Sequence, residues 1–261
     1  YALTNPDRPA FIMAGSGLTV SYAQFEARSN QLAHFLRSQD LQFQDHYSIF
    51  MENNERYMES CAAGERAGLY YTCINSYLTG DELAYIVNNS ESKVLITSKS
   101  KIYVVVDALA SCPNIQMVLV TDGGDVDLPK GMMDFAAAVE VCSTAPLAEE
   151  FLGTSMLYSS GTTGQPKGII RPLPKQSPSE PLPIFQFLGA LWGYREDMIY
   201  LSPAPLYHSA PQAAVSLTLR FGGTVVIMER FDPLEYLHLI ERYQISHTQL
   251  VPTMFSRMLK L

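Results

Sequence analysis

Residues 70–121 read YYTCINSYLTGDELAYIVNNSESKVLITSKSKIYVVVDALASCPNIQMVLVT, and this stretch decides the fold. It contains three short apolar runs, Tyr70 to Asn75, Val94 to Thr97 and Met117 to Thr121. The last two are apolar runs bounded by polar residues, as strands of a parallel sheet covered on both faces are. Between the first two, Thr79 and Glu82 have capping-box spacing, in which two side chains satisfy two free N–H groups of a helix start. They open a helix running through about Asn88. A second helix, at about 100–111, separates the last two runs. Strand, helix and strand in regular alternation predict an α/β fold of βα units, with largely parallel sheets and right-handed crossovers.

The same alternation extends outward. Upstream, Ser21 is a candidate N-cap with Gln24 three residues on, and Phe25, Leu32 and Leu36 then share one helical face. Tyr47 to Met51 reads as a strand, and Asn54 to Gly68 as a helix closed by glycine. Downstream, Gly223 to Met228 reads as a strand. Asp232, Pro233 and Glu235 form a helix start with N-cap, N1 proline and N3 acid. Ser246 to Val251 reads as a strand, and Pro252 opens a last helix. Residues 122–150, with GGD and LPKG, read as a surface connection. Residues 171–183, RPLPKQSPSEPLP, hold five prolines and read as an exposed loop. Two lobes are expected, about 48–170 and 1–47 with 171–261.

Composition removes several classes of function. The chain has 261 residues, is 47% hydrophobic and carries a net charge of 18 − 26 = −8. That balance argues against a nucleic-acid partner, which needs clustered Lys and Arg. Cys61, Cys73, Cys112 and Cys142 form no C-x-x-C pair and no zinc spacing, so no metal site is expected and the thiols read as buried groups of a reducing, cytoplasmic compartment. The greasiest run, FQFLGALWGY at 185–194, falls short of the roughly 20 residues that span a bilayer.

The chemistry is concentrated in Tyr158-Ser-Ser-Gly-Thr-Thr-Gly-Gln-Pro-Lys-Gly168. Glycines let a backbone approach an anion, and successive N–H groups then form a nest. The hydroxyls of Ser159, Ser160, Thr162 and Thr163 can donate to phosphate oxygens, and Lys167 adds a point charge. Gly161 and Gly164 complete the candidate polyphosphate site. It is not the ordinary P-loop, because Gly168 follows the lysine where Ser or Thr would stand.

This segment resembles the signature loop of the adenylate-forming superfamily, which includes acyl-CoA synthetases, luciferases and peptide-synthetase adenylation domains. Asn75 to Ile86, Pro205-Leu-Tyr-His208, Phe221-Gly-Gly-Thr224 and Leu250-Val-Pro-Thr253 resemble further family segments, and the combination is most similar to fatty-acyl-CoA synthetases. The resemblance implies an incomplete N-terminal domain of that fold and a two-step reaction. A carboxylic acid is joined to AMP at the expense of ATP, and coenzyme A then displaces AMP, with Mg²⁺ assisting. It assigns His208 to the acyl carboxylate and Lys167 to the departing pyrophosphate. Family segments for adenine, ribose, the hinge and the small mobile domain do not occur in these 261 residues. The piece alone is therefore expected to be inactive and to self-associate through apolar surface. A truncated chain that binds nucleotide or a partner without catalysis is the alternative.

Overall fold

The computed structural model describes residues 1–158 and 165–261. In chain order the strands are β1 (Pro9–Met13), β2 (Thr19–Ser21), β3 (His46–Phe50), β4 (Tyr70–Cys73), β5 (Val94–Ser98), β6 (Met117–Thr121), β7 (Met132–Asp134), β8 (Thr154–Ser155), β9 (Leu157–Tyr158), β10 (Gly168–Ile169), β11 (Ile199–Ser202), β12 (Thr224–Ile227) and β13 (His247–Thr248). The helices are α1 (Tyr22–Ser38), α2 (Tyr57–Ala67), α3 (Gly80–Asn89), α4 (Ile102–Leu109), α5 (Phe135–Val139), α6 (Pro183–Trp192), α7 (Ser209–Arg220), α8 (Pro233–Tyr243) and α9 (Pro252–Met258). The chain divides into two compact units: residues 1–26, 52–55 and 181–261 form one, and residues 27–51 and 56–180 the other.

The larger unit is built on a six-stranded sheet in the order β7-β6-β5-β3-β4-β8, with every ladder parallel. Strands of such a sheet are covered on both faces, and β5 is buried at all five positions. The capping box is present: Thr79 N donates to Glu82 Oε2 at 2.9 Å, and α3 buries Leu83, Ala84, Ile86 and Val87 against Leu95 and Val118. α2 ends at Gly68, in the left-handed region at φ 64°. A Cβ there would stand 2.6 Å from the Phe43 ring, so both conformation and space demand glycine.

The smaller unit has a five-stranded sheet in the order β13-β11-β12-β1-β2. The first four are parallel neighbours, and β2 runs antiparallel to β1. Its core gathers Leu201, Val226, Met228, Tyr236 and Leu239. Tyr22 Oη donates to the carbonyls of Leu219 and Gly223, closing the end of α7. Asp232 caps α8 by accepting from Leu234 N and Glu235 N.

Several boundaries differ from the sequence reading, each for a physical reason. The lobe limits at 47 and 170 give way to 26 and 180. β3 is inserted between β4 and β5, and Arg37 donates to Ala67 O at 2.7 Å, which holds residues 27–51 with the larger unit. Tyr70 Oη donates to Arg171 O and Leu152 N to Gln176 O, which holds 171–180 there as well. Residues 122–150 are not only connection: β7 extends the parallel sheet, and Asp134 caps α5 by accepting from Ala137 N. The run Ser246 to Val251 contributes only His247 and Thr248 to its sheet. α2 starts at Tyr57, not Asn54, because Asn53 is engaged with residues 204–228. Residues 185–194 lie largely in α6, where Phe187 and Trp192 are exposed.

Candidate functional site: the stems of the glycine-rich loop and the His208 turn

Residues 159–164 lie outside the described residues, so Ser159, Ser160, Gly161, Thr162, Thr163 and Gly164 remain sequence assignments. The structure describes what flanks them. β9 leads in and β10 leads out, as an antiparallel pair with Tyr158 opposite Gly168 and Leu157 opposite Ile169. Lys167, exposed, immediately precedes β10, so a strand follows the lysine where a P-loop would have a helix. At Gly168 a Cβ would displace the flexible end of the Met156 side chain and stand 3.1 Å from Tyr158 Cζ.

Helix α3 touches both stems. Tyr85 Oη donates to Pro166 O at 2.9 Å, and Tyr158 Oη donates to Asn89 Oδ1 at 2.7 Å. Burial, reinforced by Tyr85, pushes the Tyr158 phenol up to about 12, so it remains a donor throughout the physiological range. Beside the outgoing stem a cavity of about 480 Å³ is lined by Leu78, Glu82, Tyr85, Ile86, Gln165 and Pro166.

His208 lies in the other unit, as the residue preceding α7, with φ −80° and ψ 141°. Its side chain makes no capping bond. Its ring lies 4.4 Å from that of Tyr207, and partial burial lowers its pKa, so the imidazole is neutral at pH 7. A neutral imidazole can donate to a carboxylate oxygen without the desolvation cost of a second buried charge. The Pro205–His208 turn is held by a residue that the sequence did not single out. Asn53, 6% exposed, accepts from Leu206 N at 2.8 Å and donates to Ala204 O at 3.1 Å and Met228 O at 2.9 Å. The sequence carries no signal for these bonds, because the partners are about 150 and 175 residues away along the chain. Lys167 and His208 thus belong to different units.

Among the described residues, no group of three or more His, Cys, Asp or Glu side chains could hold a metal ion, and no helix is long and apolar enough to cross a membrane. The four cysteines are free thiols, and burial raises Cys112 and Cys142.

The family model of AMP-binding enzymes matches residues 1–261, and the chain belongs to that family. It is 28% identical over 257 residues to the medium/long-chain-fatty-acid–CoA/3-oxocholest-4-en-26-oate–CoA ligase of Mycolicibacterium smegmatis, covering 92% of this chain and 46% of that protein. It is 34% identical over 263 residues to the 3-oxocholest-4-en-26-oate–CoA ligase of Rhodococcus rhodochrous, with the same coverage of 92% and 46%. Among solved structures, the inhibitor-bound N-terminal domain of FACL13 from Mycobacterium tuberculosis shares the fold with a TM-score of 0.83 at 21% identity, covering 100% of this chain and 63% of that one. The chain spans about half the length of the curated relatives it matches.

Proposed function

We propose that the full-length protein activates a carboxylic acid, with fatty acids as the substrate class, by ATP-dependent adenylation followed by thioester formation with coenzyme A. In the first step a carboxylate oxygen attacks the α-phosphorus of ATP, the bond to the bridging oxygen breaks, and pyrophosphate leaves with its electron pair. In the second the coenzyme A sulfur attacks the acyl carbon, its proton passes to solvent, and AMP departs.

The observation that carries the reading is the loop itself, a run of glycines and hydroxyls ending in Pro-Lys-Gly between two paired strand ends, in a chain of the AMP-binding family. Charge builds on the leaving pyrophosphate, and donors fixed beforehand stabilise it without reorganising. Lys167 is the cation assigned to that task, and neutral His208 the group assigned to the acid.

The test is acid-dependent exchange of pyrophosphate into ATP by the full-length protein, over a panel of fatty acids. Lys167→Ala is expected to slow exchange by about tenfold to a hundredfold, since a charge-assisted hydrogen bond contributes about 1.5–3 kcal/mol. An unchanged exchange rate at saturating acid removes Lys167 from this role.

A further inference from the structure

We propose that α3 works as a clamp on the phosphate loop, with Tyr85 and Asn89 as positioning residues that hold its two stems in register and thereby aim Lys167. This rests on the adenylation reading above, and it adds residues to which the loop motif itself does not point.

The geometry is specific. Residues four apart on a helix lie on one face, one turn from each other. Tyr85 and Asn89 have that spacing, and each reaches a different stem: Tyr85 takes the carbonyl of Pro166 on the outgoing side, and Asn89 takes the hydroxyl of Tyr158 on the incoming side. Seven residues lie between these two anchor points, and six of them are the candidate phosphate donors and glycines 159–164. Lys167 is the residue directly after the anchored carbonyl. A carbonyl fixed at Pro166 constrains the peptide plane that leads into Lys167, because the peptide bond is planar. Proline also has no N–H, so its carbonyl is the only backbone hydrogen-bonding group available for an anchor at that position.

The platform is rigid. α3 is closed at its start by the capping box and buries four side chains in the sheet core. The cavity beside Gln165 and Pro166 shows that the outgoing stem is not packed flat on the helix, so the Tyr85 hydroxyl bridges to it as a strut. Asn89 is the last residue of α3 and Tyr158 is half-buried; their bond joins the end of the helix to the end of β9.

The experiment compares Tyr85→Phe and Asn89→Ala with Tyr103→Phe in the full-length protein. The last loses a hydroxyl from a tyrosine 88% exposed on α4. Two readouts are taken: pyrophosphate exchange, resolved into kcat and KM for the acid, and the rate at which trypsin cuts after Lys167. Loss of one hydrogen bond is expected to lower kcat about two- to tenfold, with the KM for the acid and the melting temperature unchanged. Cleavage after Lys167 is expected to rise severalfold in both clamp variants and not in Tyr103→Phe. If the wild type exchanges pyrophosphate and Tyr85→Phe matches it in kcat and cleavage, the clamp is overturned. If the wild type exchanges none with any acid while the clamp variants still open Lys167 to trypsin, the clamp stands and the adenylation reading fails. Faster cleavage with unchanged kcat overturns the positioning role.

Discussion

The six-stranded sheet takes all its strands from residues 46–155, whereas the five-stranded sheet takes two from the first 21 residues and three from residues 199–248. Successive strands of the first are joined mostly by one helix, and each helix returns onto the sheet that its flanking strands build. The second depends on β1 pairing with β12, with Phe11 opposite Val225 and Met13 opposite Ile227. It also needs residues 52–55, borrowed from the middle of the other unit's sequence, of which Asn53 ties three backbone groups. The difference teaches where each unit is vulnerable. The first rests on contiguous core and buried charge, the second on a few long-range bonds.

The largest effect is expected from the first. Glu59 is fully buried, with Arg28 Nη1 and Arg56 Nη1 each 3.0 Å from one of its oxygens. Glu59→Ala removes the buried carboxylate that both guanidiniums address, and a cost of about 3–5 kcal/mol is expected. Denaturant unfolding followed by tyrosine fluorescence would measure it, and a loss below about 1 kcal/mol would mean that this triad is not what holds α1 to α2.

A smaller loss is expected from the second. Asn53→Ala removes three hydrogen bonds that hold the chain before the His208 turn, and at a net contribution of about 0.5–1.5 kcal/mol each the loss is roughly 1.5–4.5 kcal/mol. If the contrast between units is real, Asn53→Ala raises the KM for the acid while Glu59→Ala, in whatever fraction remains folded, does not. Equal effects on KM would erase the distinction.

The smallest effect concerns His208. His208→Ala is expected to raise the KM for the acid a few fold and leave that for ATP unchanged; a loss of ATP affinity instead would move His208 to the nucleotide. The sign of its pH effect follows from burial. The folded-state pKa lies below the ordinary value of roughly 6.5, so the stabilisation is full above that value and is lost as pH falls through the lowered one. Unfolding midpoints at pH 7.5 and pH 5.5 should therefore converge slightly in His208→Ala relative to the wild type.

How much of this was legible in the sequence follows the same contrast. β5, β6, α3 and the Gly68 stop could be read because their signals, apolar runs, a capping box and a terminal glycine, are local. β7 and α5 were missed because three and five residues are too few to display a period. β1 was missed because PAFIM shows no pattern until β12 is there to pair with it. At the site, the loop announced itself by composition. Tyr85, Asn89 and Asn53 did not, since a tyrosine or asparagine looks alike in sequence whether it faces water or a distant partner.

The pairing of β1 with β12 also has a consequence in time. Met13 leaves the ribosome 224 − 13 = 211 residues before Thr224. At about 5–20 residues per second, that is a wait of roughly 10–40 s. The larger unit can complete its parallel ladders during synthesis, while Pro9–Met13, whose other edge is taken by β2, keeps open the edge that pairs with β12. The nascent protein thus carries a half-paired apolar strand until β12 emerges to complete it.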